Sequence, residues 1–258
     1  MLSKNKIKFI NSIKKKKYRE IHQCFFAEGE KLVDELLNSN VQIIDIFATT
    51  DWIQNNQQRS NSLGGFEVNE ISEDELKKIS SLSTPNKVFA IAKQPDCTFN
   101  IQDLQVEFSL FLENINDPGN LGTIIRIADW FGIRNIFCSE ESVDVFNPKV
   151  VQATMGAIYR VKTHYINSID FLKSISSLND FPIYGTFLEG NNIYEENLSK
   201  RGLIIMGSES HGISESLTPF IQKQLFIPSY PPNELSSESL NISAATAIVC
   251  SEFRRKLK

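Results

Sequence analysis

From residue 108 to residue 256, short apolar runs alternate with stretches of helical spacing. That alternation constrains the fold more than any other feature of the 258-residue chain. The runs FSLFLENI (108–115), RNIFC (134–138), PIYGTFL (182–188), LIIMG (203–207) and LFIPS (225–229) read as strands, with a further strand near 159–163. Between and after them lie helical patterns: LGTIIRIADWF (121–131, stopped by Gly132), about 147–157, 168–178 and about 242–256. Such a succession predicts an α/β fold, a mostly parallel sheet with helices on both faces.

The first part of the chain reads as a smaller α/β unit. EGEKLVDELLN (28–38) sets Leu32, Val33, Leu36 and Leu37 at helical spacing, and VQIIDIFA (41–48) and KVFAIA (87–92) read as strands. Residues 52–65, rich in Gln, Asn and Ser and ending in Gly64-Gly65, read as a loop. SEDELKKIS (72–80) starts a helix, with Ser72 as N-cap and acids in the first turn. These segments divide the chain into a first domain over 1–95, a linker over 96–105 and a second domain over 106–258.

Charge follows the same division. Residues 1–95 carry fourteen basic and twelve acidic side chains, and the remainder thirteen and nineteen. Lys4, Lys6, Lys8, Lys14, Lys15, Lys16, Lys17 and Arg19 all precede the first acid, Glu20. Such a block can neutralise phosphates and gain affinity by counterion release; it can equally be a solvated helix face. No apolar stretch approaches the length of a membrane helix, and the N-terminus lacks the apolar core of a secretory signal. The expected location is the cytoplasm, with Cys24, Cys97, Cys138 and Cys250 as free thiols.

Three loops at strand ends carry unusual chemistry. The first is Asn114-Ile115-Asn116-Asp117-Pro118-Gly119-Asn120-Leu121-Gly122, leading to Arg126; the second is Gly207-Ser208-Glu209-Ser210-His211-Gly212. The third runs from Ile227-Pro228 to Ser239-Leu240-Asn241-Ile242-Ser243. Ligands of parallel sheets bind at the carboxyl ends of strands. No GxGxxG follows the first strand, and neither a P-loop nor a GxSxG elbow is present. His22, His164 and His211 are too few and too scattered for a metal cluster, so no metal is expected. On residue type alone, Arg126 is a surface cation, Glu209 a helix N-terminal acid, Asn120 an N-cap, and Gly207 and Gly212 turn residues. Trp130, Phe131 and Phe137 are expected in the core, and His211 has no assigned role.

In order, NxxDPxNxGxxxR, GxExxG and IP…SLNxS resemble the three signature motifs of the SpoU-type RNA 2′-O-methyltransferases, in the SPOUT superfamily. FFAEGEKLVDELL resembles the small substrate-binding domain, similar to a ribosomal-protein fold, that often precedes their catalytic domain. The resemblance implies a C-terminal trefoil knot, S-adenosyl-L-methionine bound within it, and a homodimer. It further implies that Gly207, Ile227 and Leu240 bind S-adenosylmethionine, with glycine at 207 letting the ligand approach the chain. Asn120, Arg126, Glu209, Ser239 and Asn241 match the polar positions of the reacting centre. Arg126, six residues after Asn120, is expected on the first turns of its helix facing the loop. It would hold the target phosphate or act on the ribose hydroxyl; an arginine that stays charged suits orientation better than base catalysis.

The implied partner is RNA, with neither membrane nor DNA. Ribosomal RNA is favoured over transfer RNA, because the added N-terminal domain is commoner among the ribosomal enzymes of that family. A transfer RNA 2′-O-methyltransferase and a catalytically inactive RNA-binding protein of the same fold remain the alternatives. One departure is the stretch 229–238, longer than the family's usual glycine-containing link and expected to border the RNA.

Overall fold

The structure is a computed structural model that describes residues 1–56, 68–231 and 239–255. It divides into two compact units: residues 1–96 with 144–160, and residues 97–143 with 161–258.

The first unit is built on strands β1 (Cys24–Glu28), β2 (Ile43–Ala48), β3 (Val68–Glu70) and β4 (Val88–Lys93), in the order β1-β4-β2-β3. β4 runs antiparallel to β1 and β2, and β3 lies parallel to β2. The helices Lys4–Ser12 and Lys16–His22 precede the sheet. Ile10 and Ile13 pack with Phe26, Phe47, Leu76, Ile79 and Phe89; burying each such side chain contributes about 1.5–3 kcal/mol. Ser72 caps the helix Glu73–Ile79 in a full capping box with Glu75.

Two expectations change here. The polar stretch expected to be a loop over 52–65 begins inside a helix, Thr50–Asn55, which buries Trp52; residues 57–67 lie outside the described residues. Residues 144–160, placed with the second domain by sequence, pack instead with the first unit. Arg19 is the reason on one side: its guanidinium binds Asp144 Oδ2 at 2.5 Å and donates to the carbonyls of Ile13 and Lys14. Phe146 packs on Phe25 with ring centroids 4.9 Å apart, and Arg160 pairs with Glu35 at 2.6 Å. Arg19, counted by sequence among cations available to phosphate, is therefore a buried structural residue.

The second unit is a six-stranded parallel sheet of β5 (Phe108–Leu112), β6 (Asn135–Ser139), β7 (Lys162–Ile166), β8 (Ile183–Asn192), β9 (Gly202–Met206) and β10 (Lys223–Phe226). Its order is β10-β8-β9-β5-β6-β7, and every pairing is parallel. The helix Ser168–Ser176 covers one face, its Phe171, Leu172 and Ile175 packing with Phe111, Phe137, Leu203 and Ile205. On the other face Phe253, from the helix Ile242–Arg255, meets Phe108 and Tyr184. β5 and β9 are nearly all apolar because both sheet faces are covered.

The aromatic expectation holds for Phe137, which is fully buried, and fails for Trp130, which is 85% exposed. Trp130 closes the helix Pro118–Trp130 on the side turned away from Leu121, Ile124, Ile125 and Ala128, the residues that face the sheet. The four cysteines are free, three of them buried, and burial pushes the Cys250 thiol up to about 12. Among the described residues no helix is long and apolar enough to cross a membrane.

Candidate active site

Parallel strands end on one edge of the sheet, and the strand order decides which loops meet there. β5 and β9 are neighbours, with Leu112 level with Met206, so the loop after β5 and the loop after β9 leave the sheet side by side. The last helix, Ile242–Arg255, packs against Pro118–Trp130. Three segments far apart in sequence thus reach one place.

Glu209 joins them. Its Oε1 accepts from Asn120 Nδ2 at 2.9 Å, from Asn241 Nδ2 at 2.7 Å and from the backbone N–H of Ile242 at 3.2 Å. Asn241 Nδ2 also donates to Asn120 Oδ1 at 3.1 Å, and Asn241 Oδ1 accepts from the backbone of Ser243. Ser243 Oγ donates to Asn120 Oδ1 and to its carbonyl, both at 3.3 Å. A carboxylate can accept several donors at once and amides can bridge, so this residue set ties the three loops together. Glu209 lies in a turn and not in a helix of its own, and its carboxylate meets the N-terminus of the distant helix Ile242–Arg255. Ser243, though quoted within the third motif, was not among the expected site residues; its place beside Asn241 on the first turn of a helix was the available signal.

The expectation that Asn120 is an N-cap is corrected. Asp117 caps the helix, its Oδ1 accepting from Asn120 N at 2.8 Å, and Pro118 takes the first helical position. The helix therefore starts three residues earlier than the pattern predicts. Arg126, expected on the first turns, falls on the third, about 9 Å along the axis from Asn120. Arg126 is exposed, and its side chain makes no hydrogen bond or ion pair among the described residues. Ser239 is likewise exposed and outside the hydrogen-bonded set.

Gly207 is explained by the chain itself. A Cβ there would lie 2.2 Å from the carbonyl carbon of Gly212 and 2.3 Å from the nitrogen of Ile213. The loop turns back so closely because Ser208 and Gly212 exchange two backbone hydrogen bonds, at 3.1 and 2.9 Å. Glu113, buried at the end of β5, fixes the outgoing side by accepting from Ser214 N at 2.9 Å and Ser214 Oγ at 2.5 Å. At the loop's tip Ser210 Oγ and His211 Nδ1 lie 2.7 Å apart. Ile227 follows β10 and is half-buried, while Leu240 is 47% exposed. Most of the long third loop, residues 232–238, lies outside the described residues.

Comparison with known proteins bears on both units. A model described as the SpoU rRNA Methylase family matches residues 107–251, and one described as the MRM3-like substrate binding domain matches residues 4–90. The chain is 26% identical over 250 residues to the 23S rRNA (guanosine(2553)-2′-O)-methyltransferase RlmP of Bacillus subtilis, covering 96% of each. A TrmH-family structure from Porphyromonas gingivalis superposes with a TM-score of 0.87 at 38% identity, over 99% of each chain. The AdoMet-bound rRNA methyltransferase from Sinorhizobium meliloti superposes at 0.85 with 28% identity, over 100% of this chain and 97% of that one.

Proposed function

Because the chain belongs to the SpoU rRNA methylase family, whose model spans more than half of it, we propose that it methylates a ribose 2′-hydroxyl of ribosomal RNA from S-adenosylmethionine. The observation that carries this reading is the Asn120–Glu209–Asn241 set, which holds all three loops in one arrangement. The ribosomal target is supported by the names of the relatives and by the substrate-binding domain matched over residues 4–90. The division at 1–95 and 106–258 then separates RNA capture from transfer, with residues 144–160 returning to the first unit.

The residues at the sheet edge suit S-adenosylmethionine. Leu240, next to Asn241 in the chain, is 47% exposed and Ile227 is half-buried, aliphatic side chains of the kind a purine packs against. When bound, the cofactor would supply an electrophilic methyl group to the ribose oxygen, leaving as a neutral thioether, with the hydroxyl proton passing to the target phosphate or to water. Gly207, Ile227 and Leu240 hold the cofactor in this reading. Glu209, Asn120 and Asn241 keep the loops fixed so that alignment is set before reaction. Arg126 grips the target phosphate or ribose through its planar guanidinium and stabilises charge rather than taking the proton. Ser239 touches the RNA side.

A homodimer and a cytoplasmic location complete the reading. The dimer is supported by Trp130, 85% exposed at the end of the helix that bears Arg126. The trefoil knot belongs to the same family reading, and the packing of the last helix against Pro118–Trp130 fits it.

The decisive experiment gives the protein labelled S-adenosylmethionine and total ribosomal RNA from a strain lacking its gene, then maps ribose methylation. One or a few methylated nucleotides are expected; no label in any unmodified RNA rejects the enzyme in favour of an RNA-binding protein. Gly207→Ala tests the cofactor side. Its methyl must displace backbone rather than a flexible side chain, a strain of about 1–3 kcal/mol. Calorimetry should show S-adenosylmethionine affinity reduced about tenfold or more, and unchanged affinity removes this loop from the cofactor site.

A further inference from the structure

The basic N-terminal block is not one surface. Lys6 is bound to Asp45 at 2.8 Å, Lys14 Nζ donates to the Ser80 carbonyl at 2.9 Å, and Arg19 is buried against Asp144. Lys16 lies 3.8 Å from Glu20, one turn on in the same helix. Lys4, Lys8, Lys15 and Lys17 are left exposed, their side chains in no ion pair or hydrogen bond among the described residues.

The helix Lys16–His22 shows how these free cations are arranged. Arg19 marks its inward side. At about 100° per residue, Lys17 and Ile21 each fall about 160° from Arg19, on the outermost line of the helix, with Tyr18 beside them. Tyr18 is 38% exposed and Ile21 61% exposed. Neither packs into the core of this unit, where Ile10 and Ile13 of the preceding segment do. Lys15, the N-cap residue of the same helix, is also exposed; it lies about 160° round the axis from Lys17, with Tyr18 and Ile21 in the arc between them. An aromatic ring and an aliphatic side chain are thus left open to water between two unpaired lysines, on a helix of a unit that already has a core.

The geometry points to Lys15, Lys17, Tyr18 and Ile21 as the face by which the first unit grips RNA: the lysines on phosphates, the Tyr18 ring stacked on an unpaired base. This rests on the ribosomal RNA reading above and names the surface that serves it. Charge complementarity selects the occupant. A polyanion neutralises the two lysines, and a base covers the aromatic and aliphatic surface between them, whereas a purely apolar partner would bury both charges without compensation. Lys4 and Lys8, on the preceding helix, extend the positive potential without belonging to this platform.

The test is binding of the full-length protein to unmodified ribosomal RNA transcribed in vitro, measured over a series of salt concentrations. Lys15→Gln/Lys17→Gln should weaken binding and flatten the slope of log affinity against log salt by about 1.4, two single-strand phosphates at about 0.7 each. Tyr18→Ala should lose roughly five- to a hundredfold in affinity with the slope unchanged, and Tyr18→Phe, which keeps the ring, should bind as the parent does. Lys6→Gln, whose lysine is already paired with Asp45, should leave the slope unchanged. In turnover the platform variants should raise KM for RNA and spare kcat, because the face lies outside the proposed transfer site. Unchanged affinity and slope in both platform variants overturn the inference and assign the face to a protein partner or to solvent. Failure to methylate any transcript counts against the enzymatic reading alone, since binding is measured without turnover.

Discussion

Arg126→Ala is expected to slow single-turnover methyl transfer by about a hundred- to a thousandfold, the size of effect seen when one charge-stabilising donor is removed from an active site. The structural cost of this change is small. Arg126 is exposed, its side chain bonds to nothing among the described residues, and it lies about 9 Å along the helix from Asn120. Its loss therefore leaves Glu209, Asn120 and Asn241 in place, and S-adenosylmethionine affinity should change little. An interaction made chiefly in the transition state lowers kcat and kcat/KM together. Arg126→Lys should recover little, because an ammonium cannot reproduce the planar two-pronged grip of a guanidinium on phosphate. Rapid-quench transfer of labelled methyl, with calorimetry in parallel, separates these quantities. Near-normal transfer by Arg126→Ala removes this side chain from the mechanism.

The contrast between Arg126 and Glu209 shows what a sequence motif carries. The three loops were legible because glycine, proline, amide and carboxylate side chains cluster at strand ends, and the structure brings Asn120, Glu209 and Asn241 within hydrogen-bond range. The turn that bears Arg126 is not legible, because the sequence pattern starts that helix three residues late. Asp117-Pro118-Gly119 has the composition of a turn, yet Asp117 and Pro118 are the cap and first residue of a helix. Gly207 was expected to be small for the sake of a ligand, and its nearest neighbours are the backbone atoms of Gly212 and Ile213. That reason depends on a loop closing on itself, which residue types alone do not specify.

The strands were legible for a simple reason. β5, β6 and β9 are covered on both faces, so their sequences are nearly uninterrupted apolar runs. Trp130 was misjudged by the same logic, since a large apolar residue next to Phe131 reads as core; only the helix phase, fixed by Leu121, Ile124, Ile125 and Ala128, turns it outward. The helix Thr50–Asn55 was hidden by polar composition, and Trp52 is the one residue that anchors it. Residues 144–160 gave no local sign of their destination, because the contacts that hold them, Arg19 with Asp144 and Glu35 with Arg160, are more than a hundred residues apart.

Arg19 carries the second large expectation. Arg19→Met should destabilise the protein by about 3–5 kcal/mol, the usual cost of removing one partner from a buried pair. The side chains of Arg19 and Asp144 are 3% and 16% exposed. The substitution leaves the Asp144 carboxylate with little water to replace its partner, and it strips a donor from the carbonyls of Ile13 and Lys14. Methionine keeps much of the volume, so the loss reports charge and hydrogen bonding rather than a cavity. Arg19→Met/Asp144→Leu should regain most of the stability, since an apolar pair of similar volume replaces a buried ion pair at little cost. Urea unfolding, read as midpoint and slope, measures both variants against the parent. A loss below about 1 kcal/mol for Arg19→Met would mark the pair as an ordinary surface contact. Arg19→Met, compared under conditions where it remains folded, should also leave the salt slope of RNA binding unchanged. A cation spent on Asp144 is not available to a phosphate, and that separates it from Lys15 and Lys17 although all three lie within five residues of one another.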